Sequence, residues 1–285
     1  MINPIKSDAP AHAPHVPLTD YYADEKARSG FVREMFDSTA EDYDRMETIL
    51  GFGSGGWYRG EALIRAGLKQ GMRVVDVGVG TGLVAKEAAR IAGEPSLVTG
   101  VDPSPGMMQN AKVPAGVELV EGRAEQIPFP DNHFDFLSMG YALRHISDLS
   151  VAFNEFHRVM KPGAKLCLLE ITCPESAWGR FLLKIYMKGF VPLLALVVGR
   201  KKNTRQLWRY YWDTIEACVP PSQVLATLNA AGFTDVRRHI EVKGMTIVAE
   251  HQTTKPEYKM NVGGEPRHPV VHTSVSLCLF TRCTI

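Results

Sequence analysis

Short apolar runs alternate with helix-like stretches through most of the chain, and this alternation constrains the fold more than any other feature. Runs typical of strands are MRVVDVG, SLVTGVD, VELVEG, FDFLSMGY and AKLCLLEIT, which lie between residues 72 and 172. Helix-like stretches such as LVAKEAARIAG and DLSVAFNEFHRVM separate them. Strands that alternate with helices predict a mostly parallel sheet covered on both faces. Right-handed crossovers then make the predicted fold a doubly wound α/β fold.

Further elements are predicted on either side of this region. Residues 31–50 and 57–66 show apolar side chains at helical spacing, with the glycine-rich GFGSGG between them. Residues 174–217 form a helical, aromatic-rich insertion. TDVRRHIEV and MTIVAEHQ near the end then read as a terminal hairpin, which brings the predicted sheet to seven strands.

The chain divides into three predicted parts. Residues 1–24 are rich in Pro, Ala and His and lack the apolar core of a signal peptide, so they are predicted to be a flexible leader. Residues 25–252 form the α/β domain. Residues 253–285 form a C-terminal extension of unknown structure, because amphipathic periodicity is absent there until VSLCLF.

Composition excludes several function classes. The net charge of +1 gives no reason to expect a nucleic-acid partner. Five scattered cysteines without zinc-type spacing predict a reducing compartment, a cytoplasmic location and no metal site. The apolar stretch 181–199 contains Lys184, Lys188 and Pro192 and is too short to span a bilayer. A buried or capping helix is predicted there, with peripheral membrane contact as the alternative.

The loop VVDVGVGTG, residues 74–82, is typical of nucleotide binding. Gly82 is followed by Leu83 rather than by Lys and Ser or Thr, which excludes a triphosphate loop. The glycines are Gly78, Gly80 and Gly82, whereas the NAD fingerprint requires its third glycine at position 83. Asp76 precedes them. The loop therefore disfavours NAD and leaves S-adenosylmethionine open.

Polar residues follow the next strands of the predicted sheet. Asp102 ends the second strand, where a carboxylate can accept both ribose hydroxyls or, alternatively, cap a helix. Arg123, Ala124 and Glu125 follow the third strand, where a backbone amide and a carboxylate would meet an adenine edge. Because open α/β sheets bind ligands at the carboxyl ends of their strands, these positions predict one nucleotide site.

The order of these motifs resembles class I S-adenosylmethionine-dependent methyltransferases, and more closely the ubiquinone/menaquinone C-methyltransferase family. The resemblance extends from about residue 31 to about residue 250, and the segments that carry it are FVREMFDSTAEDYDRM, EGRAEQIPFPDNHFDF, YALRHISD, HRVMKPGAKLCLLEIT and LATLNAAGFTDV. Three features depart from the family: Arg144-His145 replaces its usual Arg-Asn, GVGTG replaces its GGTG, and the tail after residue 253 has no counterpart.

The resemblance implies S-adenosyl-L-methionine as cofactor. The glycine-loop amides would meet its methionine end, with Asp76 holding the amino group partly through water. Asp102 would hold the ribose. The full set of implied cofactor-binding residues is Asp76, Gly78, Gly80, Gly82, Asp102, Pro103, Met107, Ala124, Glu125 and Met139.

The resemblance also implies which residues act on the acceptor. Arg144 would lie near the methyl group and stabilise a phenolate or enolate. His145 would be a base, or alternatively a polar loop residue. Tyr43, with Tyr141, would line the acceptor pocket or pack in the core. Asp148 is predicted to be a helix N-cap.

The insertion lies where such enzymes build an acceptor lid. Its aromatic residues imply a hydrophobic small-molecule acceptor, with a homo-oligomer interface as the alternative. A basic cluster at Arg200, Lys201, Lys202 and Arg205 is either a solvated face or a contact for anionic lipid or a diphosphate.

The predicted function is S-adenosylmethionine-dependent C-methylation of a prenylated quinol-like ring in quinone biosynthesis. One alternative is a methyltransferase of specialised metabolism, acting on a terpenoid, alkaloid or other natural product, or a methyltransferase of phospholipid head groups. A catalytically silent binding module is a third reading, and the intact Asp76, loop glycines and Asp102 argue against it.

Overall fold

The computed structural model describes residues 12–23, 25–50, 55–174, 176–193, 204–243 and 246–254 of the 285-residue chain. Within these residues, seven strands form one sheet in the order β3-β2-β1-β4-β5-β7-β6. The strands are β1 (Val74–Val77), β2 (Val98–Asp102), β3 (Glu118–Glu121), β4 (Phe134–Gly140), β5 (Met160–Ile171), β6 (Thr234–Lys243) and β7 (Thr246–Thr254).

The sheet is parallel from β3 through β5. β7 is antiparallel to both β5 and β6, which confirms the predicted terminal hairpin. The mostly parallel, doubly wound fold predicted from the sequence is likewise confirmed. The strand order reverses between β1 and β4, and open α/β sheets bind ligands outside such a reversal.

Eight α-helices lie in the part of the chain that the structure describes. Residues 143–145 form a 3₁₀ turn after β4, and Tyr186–Phe190 continues the sixth helix as a π-helix. The helices are α1 (Glu25–Leu50), α2 (Gly55–Arg65), α3 (Leu83–Ala92), α4 (Pro105–Gln109), α5 (Leu149–Val159), α6 (Ala177–Ile185), α7 (Thr204–Ala217) and α8 (Pro221–Ala230).

Local sequence explains the elements nearest the site. All four residues of β1 are buried, as expected for an unbroken apolar run in the centre of a parallel sheet. α3 buries its Val and Ala face and ends at Gly93, whose φ of 82° only glycine adopts readily. α5 begins after Asp148, whose carboxylate accepts hydrogen bonds from Ser150 N and Val151 N, so the predicted N-cap is confirmed.

Three apolar clusters hold the molecule together. One packs α5 and α8 against a face of the sheet, and a second packs α2 and α3 against the other. The third joins α1 to α7 through large side chains such as Met35, Leu207 and Trp212. This third cluster places α1 and α7 beside the carboxyl ends of the strands, where the ligand is expected.

The prediction of a flexible leader over residues 1–24 is wrong for residues 12–23, which pack on the domain. His15 is buried, and its Nε2 lies 3.0 Å from Arg28 Nη2. The His12 carbonyl accepts a hydrogen bond from Leu149 N at 2.9 Å, and the Pro14 carbonyl accepts one from Val219 N at 2.7 Å. The Pro- and His-rich composition hid these long-range contacts. Residues 1–11 lie outside the described part.

The insertion contains α6, its π-helical continuation and α7, as the helical prediction requires. α6 buries Leu183 but leaves Phe181 and Ile185 about half exposed, so it is a capping helix with one packed face rather than a fully buried one. No helix among the described residues is long and apolar enough to cross a bilayer. Arg200, Lys201 and Lys202, the Arg205 side chain and residues 255–285 of the predicted extension lie outside the described residues.

Candidate active site

A cavity of about 330 Å³ lies at the carboxyl ends of β1, β2 and β4. The loops that follow these strands form one wall, and α1 closes the opposite side with residues between Ser29 and Tyr43. Of the predicted site residues, ten line this cavity: Tyr43, Gly78, Gly80, Asp102, Pro103, Met107, Ala124, Glu125, Met139 and His145. Asp76, Gly82 and Arg144 do not.

The glycine loop requires glycine for two different reasons. Gly78 and Gly80 have φ values of 69° and 55°, and they present backbone to the cavity. A Cβ on Gly78 would lie 2.6 Å from the Ala142 Cβ, so no larger residue fits. Gly82 has a φ of 86° and precedes α3, where a Cβ would lie 2.3 Å from Val113 Cγ1. Gly82 therefore packs the loop rather than lining the cavity.

Asp102 connects the glycine loop to the turn after β2. Its Oδ2 accepts a hydrogen bond from Gly80 N and its Oδ1 one from Ser104 N, both at 2.8 Å. Burial raises the pKa of Asp102 to about 6, although these two amides oppose the shift. Ser104, not Asp102, is the N-cap of α4. The helix-cap alternative for Asp102 is therefore wrong, and its carboxylate lines the cavity.

Asp76 lies behind the loop rather than in the cavity. It is almost completely buried, and its Oδ1 accepts a hydrogen bond from Ser138 Oγ at 2.7 Å. Burial is the largest cause that raises its pKa to about 7. The predicted role of Asp76, to hold the amino group partly through water, stays a prediction, because Asp76 does not line the cavity. In this structure Asp76 links β1 to β4 beneath the glycine loop.

The adenine side of the predicted site is ordered by Glu125. Its Oε1 accepts a hydrogen bond from Ser147 N at 2.7 Å, and Arg123 Nε lies 3.5 Å from its Oε2. Glu125 and Ala124 also line the cavity. These contacts fix the segment after β3 against the loop after β4.

Aromatic residues build the other end of the cavity. Tyr43 of α1 and Tyr211 of α7 place their hydroxyl oxygens 2.8 Å apart. The His145 ring lies 5.1 Å from the Phe36 ring in an edge contact and stacks on Tyr210 at 5.6 Å. An apolar wall with a pair of phenolic hydroxyls suits an apolar acceptor that carries a few polar atoms.

His145 is not suited to the predicted role of base. Burial, followed by the positive charges of Arg144 and Arg28, holds its pKa well below the ordinary range. Within the described residues, neither ring nitrogen has a hydrogen-bond partner. His145 is therefore neutral near pH 7, with little tendency to take a proton. Its position beside the cavity makes it a wall residue with a polar edge.

Arg144 does not line the cavity, so this structure gives no support to its predicted place beside a transferable methyl group. Its side chain is fully buried, with Nε 2.9 Å from Glu170 Oε1 of β5. Nη1 lies 3.3 Å from Thr214 Oγ1 of α7, and the guanidinium stacks 5.0 Å from the Tyr211 ring centre. Arg144 holds together the turn after β4, strand β5 and α7 from behind the cavity.

Arg59 and Tyr211 are two of the cavity residues that the predicted site did not include, although Tyr211 belongs to the predicted aromatic lid. Arg59 lies on α2. Tyr211 belongs to the aromatic insertion, which has eight aromatic residues between Trp178 and Trp212. Of these eight, all in the described part of the chain, only Tyr211 lines the cavity. A charged residue within an otherwise apolar helix face was the available signal for Arg59. No cluster of metal-ligating side chains occurs among the described residues.

Helix α1 is fastened over the cavity by polar contacts. Asp37 Oδ1 accepts hydrogen bonds from Ser104 Oγ at 2.6 Å and from Gly106 N at 2.8 Å. Arg33 Nη2 lies 3.1 Å from Glu121 Oε1 at the end of β3. These contacts join α1 to the turns after β2 and β3, so the first helix is part of the site.

Comparison with known proteins finds a matching family model and related sequences. A family model described as the ubiE/COQ5 methyltransferase family matches residues 22–255. Demethylmenaquinone methyltransferase from Symbiobacterium thermophilum is 33% identical, over 79% of this chain and 92% of its own. Ubiquinone/menaquinone biosynthesis C-methyltransferase UbiE from Pseudomonas entomophila is 30% identical, over 90% of this chain and 100% of its own.

Solved structures share the fold. A SAM-dependent methyltransferase from Thermotoga maritima, described as a possible histamine N-methyltransferase, has a TM-score of 0.54 at 22% identity and covers 78% of this chain and 99% of its own. The [4+2]-cyclase SpnF has a TM-score of 0.56 at 19% identity, and the match covers 81% of this chain and 97% of SpnF. Because these two proteins carry different activities by description, their likeness shows the fold and leaves the reaction to the site.

Proposed function

Because this chain belongs to the ubiE/COQ5 methyltransferase family, we propose that it methylates a ring carbon of a prenylated quinol-like acceptor. The enzyme is an S-adenosylmethionine-dependent methyltransferase. Its relatives named above are described as quinone-pathway methyltransferases. The observation that carries the proposal is the single cavity that joins the glycine loop to the aromatic end at Tyr43 and Tyr211.

The cavity residues fit S-adenosylmethionine. The glycine loop has no room for a Cβ at Gly78. Its backbone can therefore approach the methionine end of S-adenosylmethionine closely. Asp102 is oriented by two amides and would accept the ribose hydroxyls with its remaining lone pairs. Pro103, Met107 and Met139 would pack against the nucleoside, with Ala124 and Glu125 at the adenine edge. Asp76 and Gly82 would support this loop from behind.

S-adenosylmethionine supplies an electrophilic methyl group bound to a positively charged sulfur. Attack by an acceptor ring carbon forms a carbon–carbon bond while the sulfur–methyl bond breaks, and the ring proton then leaves to water. The protein contributes positioning, because the loop and the aromatic wall hold the two reactants in line. It also excludes bulk water, because α1 covers the cavity and is tied down through Asp37.

Calorimetric titration with S-adenosylhomocysteine tests the cofactor assignment. Asp102→Ala is expected to weaken binding by about tenfold or more, the effect of losing about 1.4 kcal/mol or more of interaction. The matched control is Asp131→Ala, because Asp131 is a 68% exposed surface carboxylate paired with Arg158. Equal affinities for both variants would contradict the ribose assignment.

Incubation with labelled S-adenosylmethionine and a panel of demethylated prenyl quinols tests the acceptor. We expect label on a ring carbon of at least one quinol, established by mass and NMR of the product. Label in a terpenoid, an alkaloid or a phospholipid head group, with none in any quinol, would assign the enzyme to the alternative acceptors and overturn the proposal.

Peripheral membrane contact is the second part of the proposal. Trp178, Phe181 and Ile185 on α6 are 68%, 51% and 52% exposed. Arg180 is exposed on the same helix, and Lys184 is half exposed beside Glu216. Apolar side chains flanked by cations fit the interface of a bilayer with anionic lipids. A prenylated acceptor would reach the enzyme from such a bilayer.

Vesicle flotation tests this surface. The wild type is expected to float with vesicles of phosphatidylglycerol and phosphatidylcholine, and Trp178→Ser/Phe181→Ser to remain in the pellet fraction. Val151→Ser is the control, because Val151 is an exposed apolar residue on α5. Another result would overturn membrane contact: the wild-type protein does not float and sediments as a dimer, whereas the double variant is a monomer. The surface would then bind a second copy of the chain.

A further inference from the structure

Arg59 is a charged residue of the cavity wall, and the contacts assigned above to the cofactor and the acceptor give it no role. It lies on α2, is 5% exposed and lines the cavity. Its Nη2 lies 2.6 Å from Glu47 Oε1 of α1, and its guanidinium carbon lies 5.4 Å from the Tyr141 ring centre. A buried cation beside the reaction cavity is a candidate for binding an anionic group.

The hydrogen-bonding capacity of Arg59 is not used up. Its guanidinium carries five N–H donors, and within the described residues Nε is buried without a hydrogen-bond partner. Leaving such a donor unsatisfied costs about 1–3 kcal/mol. Nε itself is closed off from the cavity. Among the described residues the contact with Glu47 engages Nη2, so other N–H donors of this cavity-lining guanidinium remain for a ligand atom.

The nearby tyrosine pair supplies a second free donor. Tyr43 Oη and Tyr211 Oη lie 2.8 Å apart, so one hydroxyl proton serves the bond between them. The other proton has no recorded acceptor and is available for a third oxygen. Burial raises the pKa of both phenols, so they stay protonated donors. The pair and Arg59 line the same cavity.

We propose that Arg59 and the Tyr43–Tyr211 pair form a subsite for the ring oxygen of the acceptor and bind it as a phenolate. The proposal rests on the proposed methylation of a phenolic ring. The phenolic proton passes to water, and the resulting negative charge makes the adjacent ring carbon a stronger nucleophile. The carbon–carbon bond then forms as the sulfur–methyl bond breaks, and the ring carbon releases its proton to water.

Arg144, the residue that the sequence nominated for this role, is excluded by its surroundings. Its charge is matched by Glu170 at 2.9 Å, and its side chain does not line the cavity. Arg59 also has a carboxylate partner, Glu47, but Glu47 lies outside the cavity lining and engages Nη2 alone, whereas the Arg59 side chain reaches the cavity. Both arginines are paired with a carboxylate, but only the Arg59 side chain can be reached from the cavity.

The ionisation of a bound phenol tests the subsite without requiring methyl transfer. The probe is 4-nitrophenol, which absorbs visible light as its phenolate, titrated against pH in the presence of the S-adenosylhomocysteine-loaded enzyme. We expect the wild type to lower the pKa of the bound phenol by about one unit or more, as a cation in contact does. Arg59→Gln is expected to abolish that shift, and Arg59→Lys to retain most of it.

Two control variants separate this role from a structural one. Glu47→Gln breaks the same ion pair but keeps the cation, so the pKa of the bound phenol is expected to stay low or fall further. Arg90→Gln removes an arginine that is 61% exposed on α3, and it is expected to leave the shift unchanged. If Glu47→Gln raises the phenol pKa as much as Arg59→Gln does, Arg59 serves the fold and the inference is overturned.

Turnover gives the second readout, measured with the demethylated quinol that the enzyme methylates. Arg59→Gln is expected to lower kcat by about 100-fold at neutral pH, with kcat recovering as pH rises and the affinity for S-adenosylhomocysteine within about threefold of wild type. A loss of the same factor at every pH would contradict phenolate binding. If the wild type does not lower the pKa of bound 4-nitrophenol, the subsite is overturned and the acceptor assignment is not. If the wild type lowers that pKa but methylates no quinol, the acceptor assignment is overturned and the subsite is not.

Discussion

Arg144 and Glu170 form a buried ion pair that joins the turn after β4 to strand β5. The Arg144 Nε–Glu170 Oε1 distance is 2.9 Å, and the two side chains are 0% and 2% exposed. Arg28 Nη2 donates a hydrogen bond to the Arg144 carbonyl at 2.7 Å, which connects α1 to the same turn. The pair therefore lies at a junction of four elements that surround the cavity: α1, the turn, β5 and α7.

Removal of Arg144 is expected to affect stability before chemistry. Arg144→Met leaves Glu170 as an uncompensated buried charge, which costs about 3–5 kcal/mol in the free energy of unfolding. Arg144→Met/Glu170→Leu is expected to recover most of this loss, because it replaces the pair with apolar groups. Urea denaturation measures both. A stable Arg144→Met protein with normal cofactor affinity and no turnover would restore the direct role that the sequence predicted.

Asp76 is expected to make stability depend on pH. Its folded pKa of about 7 lies above its usual value of 3.8 because of burial. Between these values the folded state binds more protons than the unfolded state, so the free energy of unfolding falls as pH rises from about 4 to about 7. The slope from this one group is at most about 1.4 kcal/mol per pH unit.

Urea denaturation at pH 5 and pH 7 checks this dependence. Asp76→Asn keeps an oxygen that can accept the Ser138 hydroxyl and removes the titrating group, so its stability is expected to decline less between the two pH values. Asp131→Asn, at an exposed position, is the control. If wild type and Asp76→Asn decline equally, Asp76 is not the group that titrates.

The cofactor side of the site could be predicted from the sequence because it is encoded locally. Each of its segments follows a strand, and parallel strands place their carboxyl ends at one edge of the sheet. Gly78, Gly80 and Asp102 lie within one strand–loop–helix–strand unit, so their neighbourhood required no knowledge of distant packing. The position of Asp76 behind the loop could not be predicted, because all four residues of β1 are buried and alternation then does not show which side faces the ligand.

The acceptor side could not be predicted because distant elements build it. The Arg144 side chain points toward Glu170, its ion-pair partner twenty-six residues later. A charged residue within the apolar run AKLCLLEIT was the one sequence feature that could have indicated this buried pair. Arg59 and Tyr211 reach the cavity from α2 and α7 through helix packing. Two backbone hydrogen bonds of residues 12–23, from Leu149 and from Val219, likewise come from segments more than one hundred residues away.

Gly78 is expected to tolerate no side chain. At a φ of 69°, a Cβ there would lie 2.6 Å from Ala142 Cβ, so Gly78→Ala must displace the loop after β4 or the glycine loop itself. We expect a loss of about 1–3 kcal/mol in stability from strain, and about a tenfold or greater loss of S-adenosylhomocysteine affinity. Thermal unfolding and calorimetry measure the two effects.

Gly163 provides the matched control for Gly78. Its φ is 80°, but a Cβ there would meet no atom within 4 Å. Gly163→Ala therefore isolates the backbone strain, with a cost of about 1 kcal/mol and unchanged cofactor affinity. Equal affinity losses in both variants would show that strain, rather than the clash with Ala142, disturbs the loop.

Tyr43 and Tyr211 are expected to act on the acceptor as a unit. Their hydroxyls share one hydrogen bond at 2.8 Å, so removing either hydroxyl breaks the same arrangement. Tyr43→Phe and Tyr211→Phe are each expected to lower kcat by about tenfold or more, and the double variant by little more than either alone. Affinity for S-adenosylhomocysteine is expected to stay unchanged, because neither phenol lies at the glycine loop.

Tyr186→Phe is the control for this cycle, because Tyr186 stacks on Phe190 at 5.7 Å in the π-helical segment and does not line the cavity. Its kcat is expected to match the wild type. Multiplicative losses in the double variant would mean that the two hydroxyls act independently. A fall in stability with normal kcat in the folded protein would instead assign the pair to helix packing, because the bond also joins α1 to α7.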